Sequence, residues 1–282
     1  LVYDADGHVT GTTMNDVTIT STFDDDGRLS TLAYGDTLVV TYTYDTASGL
    51  LSTVSDNLTS TSYQFSYDDD LRVAGITRPN GINTSLTYSP MGDIATLSHG
   101  SSITFACTYD SAGQLSRTQA TTPVDATLSG LDATRTYDAA SRLSSSGYSY
   151  DARGRCLGDG DRAYTWDGLS RLTDFTQGGA STSFTYTGLG DILSKTAGAE
   201  TVSFFTSHAL SGRPVLAEKD GDDFSRFLVY TPSGQLLYAI LASVGNAVRH
   251  YHFDPQGNTV ALTDAVGLVT DGYSYSPYGT LV

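Results

Sequence analysis

The groups in this 282-residue chain that could do chemistry are mostly carboxylates, 29 Asp and 2 Glu among 282 residues. Two acids at the right separation can work as a glycosidase pair, and clustered acids can hold Ca²⁺. Three clusters invite the second reading: Asp24-Asp25-Asp26, Asp68-Asp69-Asp70 and Asp220-Gly221-Asp222-Asp223. None has EF-hand spacing or its bidentate Glu, so solvated turns are expected, with calcium the sharper alternative. Glu200 and Glu218 are too little to single out an acid pair. His250 and His252 share a strand face opposite Tyr251 and Phe253. Two such rings could join a metal centre, but no third ligand is evident nearby, which predicts structural or solvent-facing rings. Nothing singles out His8, His99 or His208. Cys107 and Cys156 are too few for a disulfide framework or a zinc site. A bridge between them would need Cα atoms about 5.5 Å apart; small core residues are the expected reading. There is no Gly-x-Ser-x-Gly elbow, phosphate-cradling loop or HExxH. No catalytic, cofactor-binding or metal-binding residue is therefore assigned, no cofactor is implied, and no enzyme is expected.

The elements that carry these residues follow from a repeat. An aromatic is followed by Asp, two free positions, Gly, a polar residue and Leu or Val. Copies include Tyr44-Asp45 with Gly49 (a turn one residue longer), Tyr109-Asp110 with Gly113, Tyr150-Asp151 with Gly154 and Phe253-Asp254 with Gly257. A degenerate copy places Tyr275 before Gly279. Anchors at Phe23, Tyr44, Tyr67, Tyr88 and Tyr109 are 21, 23, 21 and 21 residues apart. Such a period marks stacked units, here of two strands each. Aromatics two apart, as in Tyr42/Tyr44 and Tyr164/Trp166, share one strand face. Asp opens a type I turn by accepting the backbone N–H two residues on, and Gly supplies the positive φ that closes it. Leu or Val then starts the return strand pointing inward, a frame that places both cysteines at core positions. Each unit is a hairpin with an aromatic face it cannot bury alone, and the fold class is all-β.

The pattern resembles the YD repeat of the RHS family, which includes bacterial Rhs proteins, toxin-complex C proteins, wall-associated bacterial proteins and the teneurins. Its most specific stretch runs from Arg249 through Phe253-Asp254-Pro255-Gln256-Gly257 and Thr263-Asp264 to Tyr278-Gly279, and is similar to the opening half of the RHS-associated core. The resemblance implies tandem hairpins over 1–245 and the start of a truncated core over 246–282, in one continuous architecture. It implies one long spiralling sheet, a shell, barrel or solenoid-like body, that in toxin relatives encloses a C-terminal effector. The stretch where the family's self-cleaving protease and its effector would lie is not in the chain, so neither activity is carried over; Asp254 and Asp264 are expected to be structural.

Composition agrees with this architecture. Two Lys, two Glu and two Met leave little for a solvent-exposed helix. Only 15 Lys and Arg against a formal charge of −16 argue against nucleic-acid binding, which needs clustered cations. The longest apolar run, Leu236 to Ala242, is too short to span a bilayer. The chain opens on Leu1 in what reads as a strand, so its natural start is expected upstream. Together these predict a non-catalytic segment of an RHS/YD shell that encloses or presents a C-terminal polypeptide in a large secreted or surface protein, bacterial in origin. The alternative is an extracellular adhesin or self-assembling fibre subunit, with glycan binding through tyrosines possible in principle. Cut sheet edges are expected to pair with the rest of the chain or with identical copies.

Overall fold

The computed structural model describes residues 1–124 and 135–275, and it is built from β-strands. They form a 12-stranded sheet from β1 (Val2–Tyr3) to β12 (Leu115–Thr121), and a 13-stranded sheet from β13 (Tyr148–Tyr150) to β25 (Val269–Gly272). In both sheets the spatial order is the chain order, and each strand pair with a described register is antiparallel. Stacked hairpins of this kind are what the repeat predicts. Among the described residues no helix is long and apolar enough to cross a membrane.

Alternation builds the strands. In β5 (Leu38–Tyr44), Leu38, Val40 and Tyr42 are buried while Val39, Thr41 and Thr43 face outward. The outer face is held by hydroxyl pairs across strands, such as Thr22 to Thr31 at 2.6 Å and Thr87 to Thr96 at 2.6 Å. This accounts for the heavy load of Thr. A second regularity was not expected. In twelve hairpins the register slips by one residue where the outgoing strand reaches the turn. Tyr44 pairs with Leu51, but Thr43 pairs with Thr53, leaving Ser52 as the extra residue of a β-bulge.

The chain divides into two compact units. The larger comprises 1–128, 207–216 and 226–282, and its core lies between two layers. From the first sheet come Leu32, Tyr34, Leu38, Val40, Tyr42, Val54 and Tyr63. From the second come Phe227, Val229, Leu237, Tyr238 and Ile240. Tyr34 meets Phe227 edge-on at 5.9 Å, and Tyr63 stacks on Tyr238 at 5.3 Å. Further along, Leu97, Ile103 and Phe105 pack with Val260 and Ala261. The smaller unit comprises 129–206 and 217–225. Its aromatics Tyr148, Tyr164, Trp166, Phe175, Phe184 and Tyr186 are all half-buried. Among its described residues only Phe205, Thr206 and Ala217 are buried.

Candidate functional site

The repeat turns place the predicted residues as follows. The Asp110 carboxylate accepts the N–H of Ala112 at 2.8 Å and of Gln114 at 2.9 Å, and Gly113 donates to the Asp110 carbonyl at 3.0 Å. Asp151 accepts from the N–H of Arg153 and Arg155, and Asp254 from that of Gln256 and Asn258. Gly113, Gly154 and Gly257 take φ of 77°, 82° and 86°. In the longer turn Asp45 accepts from the N–H of Ala47 and Ser48, and Gly49 has φ 72°. Tyr44, Tyr109, Tyr150, Phe253 and Tyr275 are half-buried; Gly279 lies outside the described residues. The contact with the residue four after Asp is the part the turn rule missed, since it ties the carboxylate to the start of the return strand.

That fourth residue is often Arg, and its role was not anticipated. Arg28 Nε donates to Asp24 at 2.8 Å while its guanidinium lies over the Tyr44 ring of the next hairpin at 4.6 Å. Arg72 over Tyr88, Arg142 over Tyr150 and Arg171 over Tyr186 repeat this at 4.4, 4.7 and 4.8 Å. The anchor then donates its own hydroxyl backward, Tyr44 to the Leu29 carbonyl and Tyr67, Tyr88 and Tyr109 to those of Leu51, Val73 and Ile94, all within 2.7–2.8 Å. In the smaller unit Trp166 uses its indole N–H in the same way on Cys156. His8 takes the Arg position of the first copy, pairing with Asp4 at 3.0 Å and stacking on Phe23 at 4.4 Å. So His8 is singled out after all. The Arg72 guanidinium holds Asp68 below the usual carboxylate range, and the Ser48 N–H does the same for Asp45.

The acidic clusters resolve along the same lines. Asp24 and Asp68 are spent on their own turns and on Arg28 and Arg72, which also reach Asp26 and Asp70 at 2.8 and 2.7 Å. Asp220, Asp222 and Asp223 are exposed at a turn. Asp4, Asp6 and His8 bring ligand atoms within 4.8 Å of one another, but Asp4 is already bonded to His8 and to the Asp6 N–H. Both cysteines are free thiols. Cys107 is buried as expected, whereas Cys156 is only half-buried, because its hairpin belongs to the smaller unit, where few residues are covered.

The polar groups that sequence reasoning undervalued lie inside the larger unit. His250 and His252 are not solvent-facing: they are 1% and 0% exposed. On β23 (Ala247–Phe253) the face shared by Val248, His250 and His252 is the inner one, and Tyr251 and Phe253 are the half-covered residues. The Tyr63 hydroxyl meets His250 Nδ1 at 2.6 Å, and Tyr238 donates to the buried Asp56 at 2.8 Å. His252 Nε2 bonds the Thr263 hydroxyl at 2.8 Å, and its Nδ1 has no partner. His99, which nothing in the sequence marked, stands 4.9 Å from His252 ring to ring. Its Nε2–H donates to the Phe253 carbonyl at 2.8 Å, which leaves Nδ1 to accept from the Thr84 hydroxyl at 2.8 Å. Thr84 in turn accepts from Arg78 Nη1. This relay needs a neutral His99. Burial, reinforced by the Arg78 charge, lowers His99 and His250 to about 4. Burial and Arg78, with the two neighbouring histidines, take His252 to about 2. The seam joins the two layers through buried hydrogen bonds and through histidine rings that burial keeps neutral.

Comparison with known proteins agrees with this reading of the repeats. The tRNA3(Ser)-specific nuclease WapA of Bacillus spizizenii is 28% identical over 199 residues, which is 68% of this chain and 8% of that protein. The tRNA nuclease WapA of Bacillus subtilis is 27% identical over 198 residues, again 68% and 8%. The chain thus spans about 8% of the length of these curated relatives. Among solved structures, the Photorhabdus luminescens Tc holotoxin pore aligns with 100% of this chain and 16% of its own, at 15% identity and a TM-score of 0.39. A TcdB2-TccC3 crystal structure aligns at 14% identity and a TM-score of 0.39, over 17% of its chain. The Teneurin YD-shell family model matches residues 1–148, more than half of the chain and the stretch that holds the hairpins of the first sheet, so the protein belongs to the teneurin YD-shell family.

Proposed function

We propose that this chain is a non-catalytic wall segment of an RHS/YD shell, which encloses or presents a C-terminal polypeptide of a large secreted or surface protein of a bacterium. The observation that carries the reading is the way the recurring chemistry of the repeat is used. Asp24, Asp68 and Asp151 accept from their own turns, and Arg and Tyr tie successive hairpins together. Side chains committed in this way support a wall. The test uses the longer natural protein: limited proteolysis should spare the downstream polypeptide when the YD segment is folded and expose it when the segment is unfolded. Equal cleavage in both states would remove the enclosure reading. The segment alone is expected to leave tRNA intact, because the nuclease activity named for the WapA relatives is not assigned to it.

A second reading, a self-assembling or adhesive fibre subunit, is favoured by one feature. All seven residues of β12 are exposed, and among the described residues this strand is paired on one side only, by β11 (Ile103–Tyr109). An edge of that kind adds strands, either from the rest of the same protein or from identical copies. Light scattering separates the outcomes: concentration-dependent growth of the isolated segment supports self-association, and a monodisperse monomer at micromolar concentration rejects it. A glycan array tests the adhesive role directly.

A further inference from the structure

The larger unit holds a cavity of about 590 Å³ that the wall role does not require. It opens beside β8 (Val73–Thr77), β9 (Thr84–Tyr88) and β10 (Ile94–His99), with the turns at Gly234 and at Asp254–Gly257 on its rim. Val73, Ile76, Leu86, Ile94 and Leu97 supply an apolar wall; Arg78, Thr84 and His99 form one polar cluster on the lining, while Tyr88, Gln235 and Asp254 lie elsewhere on it, with the Asp254 carboxylate taken up by Gln256 and Asn258. Arg78 is 5% exposed. Its Nη1 is spent on the Ile82 carbonyl and Thr84, and its plane lies over Tyr63 at 5.5 Å. Its Nε–H has no acceptor, and among the described residues no carboxylate pairs with it. A guanidinium buried without a counter-charge is costly, and a planar carboxylate is the partner that relieves it best. A pocket of this size, mostly apolar with a few convergent polar groups, matches the general form of small-ligand sites.

We propose that the larger unit binds a compact amphipathic carboxylate, with its apolar body against Val73, Ile76, Leu86 and Leu97 and its head group on Arg78. Nε is itself shut off from solvent, so the head group meets Arg78 where that residue lines the cavity. His99 is positioned to register the event, since its Nδ1 shares Thr84 with Arg78.

The experiment is a calorimetric titration of the purified chain with decanoate below its micellar concentration, run beside decanol. Saturable binding of decanoate, with decanol weaker by about tenfold to a hundredfold from loss of the charge-assisted pair, is expected. Arg78→Met should abolish that preference. Because Arg78→Met also removes the bonds to Ile82 and Thr84, Leu86→Trp serves as a second variant that fills the cavity and keeps the guanidinium. It should lose both ligands while the circular dichroism spectrum stays unchanged. Equal binding of decanoate and decanol by the unmodified chain, no saturable binding up to millimolar concentration, or undiminished binding by a folded Leu86→Trp variant would each overturn the proposal.

Discussion

Acidification should unfasten the larger unit well before its carboxylates titrate. Three rings carry the effect: His99 and His250, lowered to about 4, and His252, lowered to about 2. Arg78 faces all three and opposes their protonation, while Asp264 acts the other way on His250 alone. In the unfolded chain each ring returns to about 6.5. Below that pH the unfolded state binds protons that the folded state refuses, so stability falls as pH falls. At pH 5 each ring has moved about 1.5 pH units past its unfolded value while staying neutral when folded, which costs about 2 kcal/mol per ring and about 6 kcal/mol for three. That is a large share of the ordinary stability of a domain, about 5–15 kcal/mol. The turn carboxylates act in a different window. Asp45 and Asp68 have folded values below the usual range, so their contribution is intact above about pH 4 and is lost only as pH falls through those values. Urea midpoints followed by tyrosine near-ultraviolet circular dichroism, from pH 7.5 to 5, provide the assay. The slope should approach three protons, about 4 kcal/mol per pH unit, near pH 5, and His252→Gln should reduce it by one proton. A slope of less than one proton would mean that the rings are not held neutral, and the seam argument would fail.

Three further outcomes follow from local geometry. Tyr238→Phe removes the buried hydroxyl that donates to Asp56 and should cost about 1–3 kcal/mol by urea denaturation, more than Tyr44→Phe at its half-covered rung. Gly234→Ala should destabilise more than Gly257→Ala: both need φ near 90°, but an added Cβ at 234 would lie 2.5 Å from the Ser211 carbonyl, and at 257 it meets nothing within 4 Å. Chemical denaturation of the two variants compares them, and equal midpoints would contradict the clash. A thiol reagent should label Cys156 in the native protein before Cys107, which is buried; mass spectrometry of the labelled peptides gives the order.

The hairpins were legible because a turn is a local object. Asp110, Gly113 and their neighbours interact within five residues, so a pattern of that length captures them. The bonds between hairpins were not, because Arg28 and Tyr44 belong to different copies and each looks complete within its own. The bulge at Ser52 was hidden for a similar reason, since it exists only as a mismatch between two strands. The histidines show where a face argument misleads. Set opposite Tyr251 and Phe253, His250 and His252 read as structural or solvent-facing rings, whereas the first sheet packs over their face. Val248, two residues before His250 on that face, was the available clue. The seam around Arg78 and His99 depends on residues more than a hundred positions apart, among them Phe253, and no spacing in the chain encodes it.

The reciprocal fastening of the hairpins also bears on how such a chain changes length over generations. Many copies offer their successor a carbonyl at the head of the return strand, several add a guanidinium, and they receive an aromatic hydroxyl in exchange. Since donor and socket are the same at successive joints, removing one whole copy by recombination brings together two ends that already fit. Unequal crossing-over between copies can then lengthen or shorten the array in frame with its own joinery. Selection need only police the exceptional copies, those whose inner faces hold Asp56, Arg78 and the buried histidines.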